Sequence, residues 1–569
     1  MRHWLACFGR QAGSQLDSMV DASWQQQQSR WLAAALQPGT TRQGTLFVSP
    51  DAGCSGVLAG EIFNLDDLMN PYPAALVHPQ RVGLLMQDLY GKHGDEFALA
   101  FDGCYGIVMA YEDRYLAVRD AIGERPLYVL HSDSGAVLAD TLAPLLRRSS
   151  RKLHAGGVAD FMGTGFCPFE RTTVADVSKL APGSVWTLGN SVRRHTYHVM
   201  SDVGMEQDAD EPASVRKLLE RAVKKRLSHD KKSILFLSGG LDSSLVGALV
   251  GGEQLSAAYS ISFGAEYRNE LEFSALMAEH LGIPHRVISF SARTVTDAFP
   301  ETMAILDEPV GDPLNVPNIL LAREAAAEAE VIFNGEGGDP LFGGPKNLPL
   351  MAHQAFAGYG PKLDAETIYL MSFNKGSQWL PQLFSPDYLE EVRSYQSTEE
   401  LLGTRLNSDE VSTLLNRLML TNLRLKGAAQ ILPKVFKAAG AAGVTVCSPL
   451  FDRHLAEAAF QLPDDWKQRG VQEKYILKEA VRDLLPASIL QRPKSGMLVP
   501  VHYWLRGELR KFAAEILLDL NARTRDILDR SALLDLLNFR GGGVPGFYGD
   551  RIWLLLSLEF WMQAHDIRA

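Results

Sequence analysis

A two-domain α/β chain is predicted by three observations. Short apolar runs broken by Gly, Asp and Pro occupy the first part of the sequence. An acidic, nearly apolar-free stretch, SDVGMEQDADEPAS, follows at 201–214. Beyond it, strand-like runs alternate with helical ones, the pattern of a parallel sheet with crossover helices. The length, 569 residues, is also too great for a single hydrophobic core.

In chain order, the runs GTLFV, GIVMAY, RYLAV, LYVL and SVWTL predict a β-rich N-terminal domain over 1–200, and HWLACFG near the start reads as a further strand. The acidic stretch at 201–214 reads as a linker. From 215 to 569 the second domain opens with the strands SILFL, AAYSISF, HRVISF and EVIFN, spaced by the helical ELEFSALMAEHLG and VPNILLAREAAAEAE. From about residue 350 the pattern is mainly helical, ending in DRIWLLLSLEFWMQAH. No internal repeat or low-complexity tract interrupts it.

Composition excludes several classes. With 46% hydrophobic and 22% charged residues the chain reads as an ordinary globular protein. A formal charge of −11 argues against a nucleic-acid partner, which needs a basic face. Five scattered cysteines without a CxxC pair exclude a disulfide framework and the usual zinc spacing, and fit a reducing cytoplasm. The N-terminus lacks a signal-like apolar region, and no apolar run reaches the ~18 residues of a membrane span. A cytoplasmic location is therefore expected; oligomeric state is not legible.

The most informative stretch is SILFLSGGLDSSLVGALV, residues 233–250. A strand, a Gly-rich loop and a helix N-terminus make an anion cradle, yet the Gly-Lys-Ser/Thr of a nucleoside triphosphatase P-loop is absent. Ser238, Ser243 and Ser244 supply hydroxyls. Asp242 would repel phosphate unless a cation bridges them, so the loop reads as Mg²⁺ held against a pyrophosphate. A second post-strand loop, VIFNGEGGDPLFGG at 331–344, carries Glu336 and Asp339 among glycines. Loops at the C-terminal ends of parallel strands face one crevice, so the two can converge. The SGGxDS pattern resembles the loop of enzymes that split ATP between the α- and β-phosphates.

With both loops in place, the chain resembles the asparagine synthetase family over nearly its whole length. The blocks FLSGGLDSS, SISFG, YRNELEFSALMAEHLG, LDEPVGDP, FNGEGGDPLFGG, SPLFDRHLAEAAFQLP, EKYILKEAVRDLLP and RPKSGMLVPVHYWLRGELR stand in family order. LAGEIFNLDDL, FDGCYGIVMAYEDRYLAVRDAIGERPLYVL and VSKLAPGSVWTL resemble the family's amidotransferase domain. The resemblance implies an N-terminal Ntn-type αββα amidotransferase-like sandwich and a C-terminal adenine-nucleotide α-hydrolase-like (PP-loop) domain with a helical extension. It implies ATP and Mg²⁺, with Leu237, Ser238, Gly239, Gly240, Asp242, Ser243, Ser244 and Gly335 at the phosphates, and Asp242 and Asp339 on the metal. Ser262, Phe263 and Gly264 would lie near the adenosine. Glu336 would receive a proton from the attacking nitrogen. Lys494, with Lys474 as the second candidate, would neutralise charge growing on the acyl-adenylate and pyrophosphate.

The chain departs from the family pattern at telling places. The family glutaminase needs a cysteine after the initiator methionine, its thiol attacking while its own α-amine acts as base; residue 2 here is Arg2, and Cys7 lies inside a strand-like run. The asparagine of the family's NGE motif is replaced by Ala59. Both point to a nitrogen source other than glutamine. Where relatives read like KVDR, this chain has Lys434-Val435-Phe436-Lys437, which places aspartate as substrate in doubt. Relatives without glutaminase activity include β-lactam synthetases, which carry tyrosine at the Glu336 position, and lasso-peptide cyclases, many of which carry histidine or glycine there. Two readings stay open: closure of an amide within a peptide, with a precursor peptide and its protease as partners, and ammonia-dependent asparagine synthesis. A tRNA-thiolating enzyme would need catalytic cysteines and a basic surface. A partner-binding pseudoenzyme would be favoured by loss of Asp242, Glu336 or Asp339, all of which are present.

Overall fold

The computed structural model describes residues 4–8, 16, 25–28, 32–36, 45–111, 114–132, 135–189, 191–203, 211–228, 230–355, 364–373, 375–492, 496–540 and 548–569. The chain divides into two compact units, one formed by Met1–Lys152 and Phe169–Val199, the other by Leu153–Pro168 and Met200–Ala569.

Among the described residues the first unit contains two antiparallel sheets. One has the order β10-β8-β9-β1-β3-β2, where β1 is Trp4–Phe8, β2 Gln25–Gln28, β3 Leu32–Leu36, β8 Tyr128–Ser132, β9 Gly135–Ala139 and β10 Val177–Lys179. The other has the order β12-β11-β7-β6-β5-β4, with β4 Thr45–Val48, β5 Cys54–Ile62, β6 Gly103–Tyr111, β7 Arg114–Arg119, β11 Ser184–Leu188 and β12 Arg193–Thr196. The second sheet is buried on both faces, and the two-residue period of a strand explains how. Val108, Ala117 and Trp186 point into a core shared with Ala6, Val129 and Leu138 of the first sheet. Ile107, Met109, Leu116, Val118 and Val185 point the other way, onto Val82, Leu85 and Met86 of the helix His78–His93. This is the layered helix-and-sheet sandwich expected of the N-terminal region.

The second unit is built on a parallel sheet of order β15-β14-β13-β16-β17. Its strands are β13 Ser233–Phe236, β14 Leu255–Ser262, β15 His285–Ser289, β16 Val331–Phe333 and β17 Thr445–Cys447. Crossover helices Leu241–Val250, Leu271–Leu281 and Asn315–Ala326 join them. The chain runs outward from β13 to β14 and β15, then returns to lay β16 on the opposite side of β13, so the order reverses between β13 and β16. Such a switch point opens a crevice at the C-terminal strand ends. The two Gly-rich loops leave those two strands.

Two boundaries differ from the sequence expectation. Leu153–Pro168 groups with the second unit because the helix Ala155–Thr164 is tied into it: Thr398 Oγ1 donates to Asp160 Oδ1 at 2.6 Å, Gly376 N to Gly163 O at 2.9 Å, and Gly311 N to Gly165 O at 2.7 Å. Glu211–Ser214, read as linker, already belong to the helix Glu211–Lys224; residues 204–210 lie outside the described residues. Among the described residues no helix is long and apolar enough to cross a membrane.

Candidate active site

The first loop is held from below and above. Leu237 N bonds Tyr259 O on β14 at 2.9 Å, and Gly240 caps the helix Leu241–Val250. Ser238 and Ser243 hydroxyls lie 3.1 Å apart, and Ser238 Oγ also accepts from Gly240 N at 3.3 Å. Ser244 is fully buried one residue on.

The second loop presses directly against the first. A Cβ on Gly335 would fall 2.3 Å from Ser243 N, and one on Gly338 would fall 2.2 Å from Asp242 Oδ1. Only glycine permits that approach. The two loops, remote in sequence, thereby bring Asp242 and Asp339 to one point. That point is marked by Lys474, whose ammonium bonds Asp242 Oδ2 at 2.5 Å and also pairs with Asp339. Lys474 is 1% exposed and sits at φ 54°, ψ 37°, a left-handed conformation uncommon for a residue with a side chain, just before the helix Tyr475–Ala480. Backbone held so is over-determined by its surroundings.

The donor set suits a hard divalent cation. Two carboxylates converge, and among the described residues no group of three or more His, Cys, Asp or Glu side chains is placed to hold a metal unaided. One or two carboxylates completed by phosphate oxygens is the ordinary coordination of Mg²⁺. Asp242 and Asp339 are the residues that would hold it.

Among the positions expected near the adenosine, Ser262 ends β14, and its Oγ accepts from Gly264 N at 3.2 Å. The Phe263 ring meets Trp504 edge-on at 5.8 Å.

Glu336 stands half-buried in the second loop, its N–H donating to Asn334 Oδ1 at 2.9 Å. It faces cations. Burial opposes the charge of Lys434, but Asp312, bonded at 2.8 Å, and Glu336 outweigh it and lift that ammonium above its usual range. Burial holds Lys426 below its usual range against the pull of Asp339, Asp312 and Glu336. Lys434 and Lys437 of the divergent KVFK segment thus pair with Asp312 and Asp307 of LDEPVGDP, Lys437 at 2.8 Å from Asp307. Lys426 lies over the Phe373 ring at 4.4 Å, on a π-helical stretch, Asn422–Ile431, inserted between the α-helices Leu414–Thr421 and Leu432–Ala441. π-helical turns are rare and are frequent at functional sites.

Lys494 lies outside the described residues, so Lys474 is the predicted cation that the structure puts beside the carboxylates. Arg492, two residues earlier, was not singled out by the sequence reading. Its guanidinium donates to Gly239 O at 2.8 Å, pairs with Glu270 and stacks over Phe273 at 4.0 Å, bracing the first loop from outside. The RPK block was the available signal, but a motif cannot say which of its cations folds inward. Lys426 had no such signal, since a π-helical register is invisible to periodicity.

In the first unit Cys7 lies inside β1, paired with Ala33 on one side and Val137 on the other. It is fully buried, and burial pushes its thiol up to about 12. Ala59, on β5, is packed into the core between the sheets.

A family model described as asparagine synthase matches residues 214–563, and one described as glutamine amidotransferase domain matches 37–198. The glutamine-hydrolyzing asparagine synthetase 1 of Bacillus subtilis is 22% identical over 502 residues, covering 83% of this chain and 79% of the relative. A putative glutamine-hydrolyzing asparagine synthetase of Mycobacterium bovis is 28% identical over 556 residues, covering 89% and 83%. Among solved structures, an NH3-dependent NAD synthetase from Campylobacter jejuni aligns over 35% of this chain and 98% of its own, at 15% identity and a TM-score of 0.19.

Proposed function

The chain belongs to the asparagine synthase family of ATP-dependent amide ligases, and from that premise we propose that it joins a carboxylate to an amine not released from glutamine. The observation that carries this reading is the convergence of Asp242 and Asp339 at the switch point, beside a Gly-rich loop without a P-loop lysine.

A substrate carboxylate oxygen attacks the α-phosphorus of ATP, and the bond to the pyrophosphate oxygen breaks. Loop 238–244 receives the departing pyrophosphate through its N–H groups and hydroxyls. Asp242 and Asp339 would hold Mg²⁺, whose charge screens the phosphates when bound. The amine nitrogen then attacks the acyl carbon, the carbon–oxygen bond to AMP breaks, and Glu336 takes the nitrogen's proton. Lys474 faces the charge that grows in the first step. Holding acid and nucleotide together supplies much of the remaining acceleration.

Two observations support independence from glutamine: Cys7 is enclosed in a strand with its thiol pushed up to about 12, and Ala59 fills the position of the family's asparagine. The amine is then ammonia, as in asparagine synthesis, or one carried by the acid's own molecule, as in macrolactam closure of a peptide. The Lys434–Asp312 and Lys437–Asp307 pairs are built from the segment that departs from the family pattern, which puts aspartate as the acid in doubt and leaves both amines open.

Product analysis tests the class. With acid and amine present, ATP yields AMP and pyrophosphate, and Asp242→Asn abolishes exchange of labelled pyrophosphate into ATP. ADP and orthophosphate as products would overturn the mechanism.

A further inference from the structure

The second loop runs into a chain of hydrogen bonds whose last member is a donor without an acceptor. Tyr369 Oη donates to Asn422 Oδ1 at 2.7 Å, and Asn422 Nδ2 donates to Asn347 Oδ1 at 3.0 Å. With its oxygen so engaged, Asn347 keeps its amide hydrogens free: among the described residues Nδ2 has no hydrogen-bond partner. Asn347 is 3% exposed. Its N–H bonds Gly344 O at 3.2 Å, and a Cβ on Gly344 would meet the Asp339 side chain at 2.8 Å, so the free donor belongs to the loop that carries Asp339. A buried donor left unpaired costs stability unless a ligand or an ordered water pairs with it.

The same contacts position a cation. Asn422 and Lys426 lie close to one turn apart on the π-helical stretch, and the end of the helix Ala365–Ser372 meets both. Tyr369 reaches Asn422, while Phe373, its ring 5.1 Å from that of Tyr369, lies 4.4 Å from the Lys426 ammonium. One further ring joins this stretch to the second loop, because a Cβ on Gly427 and one on Gly337 would each fall 3.1 Å from Phe451. The residues just before those two glycines are Lys426 and Glu336. Lys426 is half-buried, and the contact of its ammonium is the Phe373 ring. Of the carboxylates that act on it, Asp339 is paired with Lys474, Asp312 is bonded to Lys434 at 2.8 Å, and Glu336 stands in the loop beside it.

We propose that Lys426 and Asn347 bind the carboxylate of the acid substrate, the lysine supplying charge and the asparagine an oriented N–H. The assignment rests on the ligase reading above and names the acid's side of that site. A carboxylate offers two accepting oxygens, which one ammonium and one amide donor can share. Burial favours the match, since a charge-assisted hydrogen bond is stronger away from water. The division of labour is then simple: the acid's anion lies toward the cation Lys426, and the amine lies toward the base Glu336. The neighbouring Asp339 sets the bound acid beside the carboxylates that would hold the metal.

The test is reductive methylation of the full-length protein with formaldehyde and cyanoborohydride, read lysine by lysine by peptide mass spectrometry. Acetate and succinate serve as probes, and sodium chloride at equal ionic strength as the control. Both carboxylates should slow methylation of Lys426 several-fold and leave the exposed Lys511 unaffected. Asn347→Asp keeps an acceptor for Asn422 but offers an oxygen where the free amide was. It should need about 10-fold more carboxylate, or more, for the same protection, with a melting temperature near that of the wild type. Lack of protection by both carboxylates in the wild type, or equal protection by chloride, overturns the proposal whether or not the variant folds. Wild-type protection in a folded Asn347→Asp overturns the paired site. AMP and pyrophosphate production by a chain without protection removes this site and keeps the ligase reading. Protection in a chain that makes ADP and orthophosphate keeps the carboxylate site and removes the ligase reading.

Discussion

Single side chains here separate the steps of the reaction from the stability of the fold. In the proposed mechanism Glu336 receives the amine proton, and adenylation involves no amine. Glu336→Gln should therefore keep pyrophosphate exchange and lose amide product by about 10²–10⁴-fold, the usual cost of a missing general base. Product formation at the wild-type rate would reduce Glu336 to a loop carboxylate. Lys467 makes the contrasting case of a buried cation that serves structure. Its ammonium bonds Asn416 Oδ1 at 2.5 Å in full burial, and burial, opposed by Asp464 and Asp202, lowers its pKa from 10.5 to about 8. Because its folded pKa lies below the unfolded one, the unfolded chain binds more protons between about 8 and 10.5, and stability from this group rises with pH across that window. The melting temperature of the wild type should gain on that of Lys467→Met between pH 8 and 10. A constant difference would show that Lys467 is not held below its usual range.

At the scale of elements, the site is a product of strand order and of two glycines. Gly338→Ala puts a methyl 2.2 Å from Asp242 Oδ1, so either the carboxylate or the second loop must move. Overpacking of this kind costs about 1–3 kcal/mol. ATP affinity should fall by about 10-fold or more while the melting temperature shifts by only a few degrees; unaltered affinity would mean that the loops do not jointly form the nucleotide site. This closeness was readable in part. Strong β-branched or aromatic runs such as SILFL and AAYSISF announced β13 and β14, and the glycines after SILFL and EVIFN announced the turns. The three-residue β17, inside a helical region, gave no periodic signal, because its pairing with β16 comes from tertiary contact alone. β5, CSGVLAGEI, was also missed: two-sided burial erases the polar alternation that marks an exposed strand. Arg492 shows the same limit at a finer grain. A sequence offers many lysines and arginines, and only the fold says which of them turn toward the loop.

For the whole molecule, the proposed independence from glutamine raises the question of what the amidotransferase-like unit contributes. The core of that unit offers a reason of its own. Trp186, Val108 and Ala117 join both sheets, and the Asp120 carboxylate accepts from Ile122, Gly123, Glu124 and Arg125 N–H while Arg119 donates to three backbone carbonyls. Such a buried, densely hydrogen-bonded arrangement specifies one packing independently of any catalysis. Cys7 belongs to that packing: its thiol is held up at about 12, so almost none is thiolate near neutrality, and β3 and β9 flank its strand on both edges. The purified protein should therefore release glutamate from glutamine no faster than a protein-free control, with or without ATP. Cys7→Ser should leave that background and the ligase activity unchanged, apart from the small stability cost of a hydroxyl in an apolar strand. Steady glutamate release abolished by Cys7→Ser would mean that the strand opens to expose a working nucleophile, and glutamine would return as the nitrogen source.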